Sequence, residues 1–335
     1  MLQIFVRHEE RLHFARGADA PELGPIPDAV WLDLLTPTPQ EVRRAESLMG
    51  LALPTREQMA EIEESSRLRR LPNAQLMTVM ALAWADTDRP QATPVTFIMT
   101  PDLLATLHYI DPQPILAFRR RISHRGHTAT SAEQVLIALL EALIERTATV
   151  LRRTVQELDA LSSSSSSSFR LETLRKRADE DDDSRRLRRI GRAGQLISKI
   201  HACLTSLKQP LEFLRAAPQS GQPFIPSKAL RQWAKGALQD VNGLDEYALF
   251  LNQKVGLLLD TTLGEITGEQ NEIVRIVTVI STAMLPPTMV ASTFGMNFHH
   301  APALMASPWG YPVALGLMAF SIVAPLALFK RNGWL

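Results

Sequence analysis

Seven residues near the C-terminus follow one another in alternating steps of three and four: Asn271, Val274, Thr278, Ser281, Leu285, Thr288 and Ser292. That spacing keeps all of them on one face of a helix. Five carry an amide or a hydroxyl, while the residues between them are mostly Ile, Val, Met and Ala. Oxygens of this kind can hydrate a cation or hydrogen-bond a neighbouring helix. Two arrangements use such a face: packing against another helix, or lining a water-filled path built from symmetric copies, since one helix cannot enclose a channel. In the second, Val274 and Leu285 are apolar constrictions able to close by dewetting, and Pro286-Pro287 supplies a kink beside them.

No other set of residues suggests chemistry of bond making. There is no Gly-rich phosphate loop and no ordered Ser/His/Asp set, and the eight His are scattered singly apart from His299-His300. The single Cys203 excludes an internal disulfide framework and a cysteine zinc cage. With 36 Lys+Arg against 35 Asp+Glu and 6% aromatic residues, a nucleic-acid partner is not expected. Neither an enzyme nor an organic cofactor is expected. The run Asp179–Asp183, flanked by Arg175-Lys176-Arg177 and Arg185-Arg186, reads as a solvated turn between helices, and Glu61, Glu63 and Glu64 as a solvated helix face.

The charge distribution shows what must position the stripe. Residues 276–329, a block of 54, contain no Asp, Glu, Lys or Arg. Within it lie two apolar stretches of 19 residues, Ile276–Phe294 and Tyr311–Phe329. Each spans about 28 Å as a helix, close to the hydrocarbon thickness of a bilayer. Arg275 precedes the first, Lys330 and Arg331 follow the second, and the loop between them has no Lys or Arg. The positive-inside rule then places both termini in the cytoplasm and the loop outside an inner or plasma membrane. The N-terminus lacks a long apolar segment, so no cleaved signal is expected.

The expected organisation is an α/β domain over 1–125, a helical hairpin region over 126–226, a stalk helix over 227–275, a membrane helix over 276–294, an external loop over 295–310, a second membrane helix over 311–329 and a basic tail over 330–335. Strands are expected at Leu2–Val6, Ala29–Leu34, Leu76–Trp84, Val95–Met99 and Leu103–Tyr109, punctuated by prolines that include Pro90, Pro94 and Pro101. Thr38-Pro39-Gln40-Glu41 and Thr55-Arg56-Glu57-Gln58 are capping boxes. Ser162–Ser168 is a low-complexity loop or weak helix, and Ala216–Pro226 a break. No proline separates Pro226 from Pro286, so one helix can run into the first span, although five glycines weaken it.

The first span closes on Phe294-Gly295-Met296-Asn297-Phe298. With Glu269-Gln270-Asn271, Leu285-Pro-Pro-Thr288, Gly310-Tyr-Pro312 and Thr93-Pro-Val-Thr-Phe97, the chain closely resembles the CorA family of magnesium and divalent-cation channels. The resemblance implies a funnel-shaped homopentamer in the lipid bilayer, with an α+β cytoplasmic domain, a long helical stalk and two transmembrane helices. It implies Mg²⁺ as transported and regulatory ion, with Co²⁺ or Ni²⁺ as secondary ions, and selection at Gly295, Met296 and Asn297. A ring of Asn297 oxygens can accept hydrogen bonds from a hydrated ion without stripping its water, and neutral amides let the ion move on. In the family, intracellular Mg²⁺ at acidic sites between subunits favours the closed state; candidates here are Asp240, Asp245 and Asp260 on the stalk and Asp86 and Asp88 in the α/β domain. Ala301-Pro302-Ala303-Leu304 stands where family members commonly have Met-Pro-Glu-Leu, so the external loop has no carboxylate, and His299-His300 are better suited to transition metals. A Zn²⁺ transporter of the same fold and a non-conducting sensor or scaffold are the alternatives.

Overall fold

The computed structural model describes residues 1–8, 11–17, 28–61, 67–71, 73–125, 127–168, 179–217, 225–296, 309–331 and 333. They form two units, Met1–Leu259 and Asp260–Leu335. The first unit is α+β. Its strands are β1 (Leu2–His8), β2 (Arg11–Gly17), β3 (Ala29–Leu35), β4 (Leu68–Leu71), β5 (Ala74–Ala83), β6 (Gln91–Met99) and β7 (Leu104–His108). Its helices are α1 (Pro39–Met49), α2 (Arg56–Met59), α3 (Gln113–Arg125), α4 (Ala132–Ser168), α5 (Asp179–Arg215) and the first part of α6 (Lys228–Phe294). The remainder of α6 and α7 (Gly310–Arg331) belong to the second unit.

The strands make one sheet in the order β2-β1-β3-β7-β6-β5-β4, antiparallel except for the β3–β7 pair. Both faces are covered. Trp31, Met77, Val79, Phe97 and Leu104 join the large core shared with α3, α4, α5 and α6, while Leu32, Leu34, Leu76, Ile98 and Leu107 point into a smaller core with α1 and α2. Central strands buried on two sides read as continuous apolar runs, which is why five of them are legible in the sequence. The two that are not, β2 and β4, are the sheet's two edges. Their sequences, Arg-Leu-His-Phe-Ala-Arg-Gly and Leu-Arg-Arg-Leu, carry the arginines that discourage edge-to-edge pairing.

Several expectations need correction. Pro94 is no break: it sits inside β6, opposite Met80. Pairing with β7 begins only at Val95, so the missing N–H costs no bond there. The Met80 N–H donates to Ser206 Oγ of α5, 2.7 Å away. Of the loop and the weak helix expected at Ser162–Ser168, the helix is found, as the end of α4 at Ser168. The acidic run Asp179–Asp183 is not a turn but the start of α5. Glu61 follows α2 rather than lying on it, and Glu63 and Glu64 lie outside the described residues. Both capping boxes are present, with Thr38 and Thr55 as N-caps.

Helix α6 runs without interruption through Gly236, Gly243, Gly256, Gly264, Gly268 and Pro286-Pro287. Packing overrides the glycine penalty in its first part, where Leu230, Ala234, Leu238, Val241, Ala248, Leu251 and Val255 enter the large core. Val255 packs against α5 at Gly194, where an added Cβ would come within 3.0 Å of its Cγ1. Beyond Leu259 the helix turns outward-facing on almost every side, and the apolar window of α6 has none of its residues buried.

Candidate functional site

In the second unit, α6 and α7 are both long and apolar enough to cross a membrane. Met284, Leu285 and Met289 on α6 and Phe320 and Val323 on α7 are 62–74% exposed, a surface that water does not tolerate on this scale and lipid or further chains would cover. Each helix nevertheless has a partly covered face. On α6 it comprises Val279, Thr282, Ala283, Pro286, Pro287, Val290 and Phe294; on α7 it includes Ala314, Met318, Ser321, Ala324, Pro325, Leu326 and Phe329.

All seven stripe residues, Asn271, Val274, Thr278, Ser281, Leu285, Thr288 and Ser292, are exposed. At about 100° per residue they lie roughly opposite the partly covered face of α6. The packing of one chain therefore leaves the polar stripe unused. Thr278 donates its hydroxyl proton to the Val274 carbonyl and Thr288 to the Met284 carbonyl, each at 2.7 Å. With the proton committed to the helix, each hydroxyl oxygen presents only lone pairs outward, as a hydrogen-bond acceptor. Thr267, one further step along the same stripe, bonds the Leu263 carbonyl at 2.8 Å in the same way, a position the sequence reading stopped short of. Past the end of α6, the Gly295 N–H bonds the Ala291 carbonyl at 2.9 Å, and Met296 is exposed. Asn297 and His299-His300 lie outside the described residues.

The five candidate acids fall into two groups. Asp240 and Asp260 are exposed on α6, and Asp240 lines a groove of about 830 Å³ together with Glu141 and Glu145 of α4 and Trp233, Gly236 and Gly243 of α6. The other three are engaged by basic side chains of the same chain. Asp245 is buried, receiving Lys208 Nζ and His201 Nδ1 of α5, both at 2.6 Å. Asp86 takes Arg146 and Arg153 of α4; the Arg153 hydrogen bond, together with the charge of Arg146, holds its carboxyl below the usual range. Asp88 pairs with Arg192 at 3.0 Å. All three, named as candidates for a regulatory cation, make ion pairs within the chain: Asp245 joins α6 to α5, and Asp86 and Asp88 join the β5–β6 turn to α4 and α5. Among the described residues no three His, Cys, Asp or Glu converge as a metal site.

One polar centre was missed altogether. Asp33 of β3 and Thr106 of β7 are register partners in the parallel pair, and both are fully buried. The Asp33 carboxylate accepts from Thr106, from His108 Nε2 at 3.0 Å and from Arg119 Nη1 of α3 at 2.9 Å. Trp31 Nε1 donates to Thr106 Oγ1 at 3.1 Å, and Arg119 also bonds Asp111. Burial pushes the Asp33 carboxyl up, but His108, Arg119 and Thr106 outweigh it and hold the group below 3.8. The signal was present in Trp31-Leu-Asp-Leu-Leu35: a carboxylate within a doubly buried apolar strand requires partners.

The chain matches the model of the CorA-like Mg²⁺ transporter protein family over residues 28–331. It is 32% identical over 336 residues to the magnesium transport protein CorA of Sodalis glossinidius (strain morsitans), covering all of both chains. It is 30% identical over 335 residues to the magnesium transport protein CorA of Escherichia coli (strain K12), again over the whole of each. Its fold superimposes on the complete structure of the CorA magnesium transporter from Methanocaldococcus jannaschii with a TM-score of 0.72 at 18% identity, covering 100% of this chain and 99% of that one. A family match across most of the sequence, with full-length relatives and the same arrangement of an α+β unit, a long helix and two C-terminal apolar helices, shows that this chain belongs to the CorA-like Mg²⁺ transporter family.

Proposed function

We propose that this chain forms a homopentameric channel in the inner or plasma membrane that admits Mg²⁺, and secondarily Co²⁺ or Ni²⁺, to the cytoplasm. The observation that carries this reading is the exposed stripe on the side of α6 away from the partly covered face. Among the described residues no other element covers Asn271, Thr278, Ser281, Thr288 and Ser292, whereas symmetric copies around an axis put their outward oxygens on a hydrated path. Acceptor oxygens at Thr278 and Thr288 suit an ion that keeps its water, because the outward hydrogens of that water need acceptors.

Gly295, Met296 and Asn297 form the outer entrance in this reading, and Val274 and Leu285 the apolar constrictions of the closed state. Arg275, Lys330 and Arg331 keep both termini cytoplasmic. The membrane potential drives entry: a divalent ion crossing about 100 mV gains about 4.6 kcal/mol. Intracellular Mg²⁺ favours the closed state by binding between subunits, and Asp240 and Asp260 are the acids that receive it in this reading, being exposed and without an ion pair among the described residues. Mg²⁺, Co²⁺, Ni²⁺ and Zn²⁺ uptake by liposomes holding the purified protein, with and without an imposed potential, tests the reading. Potential-driven Mg²⁺ entry supports it; Zn²⁺ entry coupled to protons, or no flux at all, would replace it with a zinc carrier or a non-conducting sensor.

A further inference from the structure

The buried centre around Asp33 is unused by ion conduction. His108 has no surface exposure. Its Nε2 faces Asp33 Oδ1 and its Nδ1 faces the Ile110 carbonyl, both at 3.0 Å. A carboxylate and a carbonyl oxygen can only accept, so both ring nitrogens must donate, and a ring that donates twice is an imidazolium. Arg119 completes the balance by bridging Asp33 and the part-exposed Asp111, so two positive and two negative groups share one site with His108 and Asp33 at its buried end. Arg119 is also the polar tie between α3 and the sheet.

We propose that His108 is a proton-dependent latch: doubly protonated, it holds α3 against β3 and β7, and losing one proton releases α3. Deprotonation turns one ring nitrogen into a lone pair facing an oxygen and leaves Asp33 and Asp111 against Arg119 alone. Among the described residues no spare donor absorbs that charge, for Asp111 Oδ1 is already buried there without a partner. The groups facing His108 are Asp33 from β3, Asp111 from the segment before α3 and, through Asp33, Arg119 from α3. From β6 its register partner is the apolar Val95. On α4, Glu133 is bonded to the Ser227 N–H and Arg146 to Asp86, while Arg120 and Arg121 of α3 are exposed. Burial favours the neutral ring, but Asp33 and the Ile110 carbonyl outweigh it and raise the pKa above 6.5. The latch is therefore closed while the ring holds both protons and opens as pH rises through its raised pKa.

Full-length protein in liposomes, with ¹⁵N in the histidine rings, reads the protonation state by solid-state NMR, and His108→Gln assigns the signal. Hydrogen exchange of residues 113–125, corrected for the intrinsic pH dependence, reads the release. Expected is one histidine with two protonated ring nitrogens at pH 7.5, and at least a tenfold loss of α3 protection over the alkaline range in which that signal becomes neutral. In His108→Gln, α3 protection should be low and independent of pH. A neutral His108 at pH 7.5, or α3 protection unchanged through the titration, would overturn the proposal. If His108→Gln does not fold, the wild-type exchange titration still decides.

Discussion

The Thr288 hydroxyl donates to the Met284 carbonyl at 2.7 Å, one turn back along α6, and so offers the stripe an oxygen that can only accept. Replacing it with Val keeps the shape and removes that acceptor. A net hydrogen bond of about 1 kcal/mol corresponds to about fivefold in rate, so Thr288→Val should lower Mg²⁺ flux per channel by about fivefold or more. Thr288→Ser, which keeps the oxygen, should stay near wild type in the same liposome assay. Equal flux in both variants would remove the hydroxyl from the ion path.

Asp245 separates a structural acid from a regulatory one. Its partners Lys208 and His201 keep 33% and 39% side-chain exposure, which screens the pair. Asp245→Asn should cost about 1–3 kcal/mol, below the range for a fully buried pair, and lower the unfolding midpoint. The Mg²⁺ concentration needed to close the folded channel should not change. A shift in that concentration would return Asp245 to the regulatory set.

Asp240 and Asp260 should behave in the opposite way. The double variant Asp240→Asn/Asp260→Asn should unfold at the wild-type temperature, yet need at least about tenfold more Mg²⁺ to protect α6 from protease, roughly 1.4 kcal/mol of lost cation binding. Unchanged protection would place the regulatory ion elsewhere.

Asp33 sets the acid limit of the first unit. Its folded pKa is depressed, so its contribution is present above 3.8 and is lost as pH falls through the lower folded value. Asp33→Asn leaves Arg119 and His108 without their shared counter-charge and should cost about 3–5 kcal/mol at neutral pH. Thermal unfolding of both proteins between pH 3 and 7 checks this: the acid-side fall in stability below about pH 4 should be smaller in the variant. An identical pH dependence in both would show that Asp33 carries no such linkage.

What could be read from the sequence follows from the physics of each element. The two spans are legible because hydrocarbon excludes charge, which leaves Ile276–Phe329 without a single ionisable Asp, Glu, Lys or Arg. The stripe is legible because helical periodicity is local. Strands β2 and β4 are not, because an edge strand lacks an apolar run, and Pro94 misleads because its harmlessness depends on where β7 stops. Asp245, Asp86 and Asp88 look like free acids in sequence, since their partners lie 37–104 positions away on other helices. The Asp33 centre needed the parallel β3–β7 register, which brings residues 73 and 75 positions apart into contact.

The central claim is that Mg²⁺ passes through the channel under the membrane potential. Purified protein in liposomes, with a Mg²⁺ dye inside and a potassium diffusion potential imposed, measures it directly. The account predicts rapid Mg²⁺ entry with the interior negative, slower entry at zero potential, and loss of entry in Asn297→Ala. Mg²⁺ entry no faster than in empty liposomes, at any potential, would contradict it.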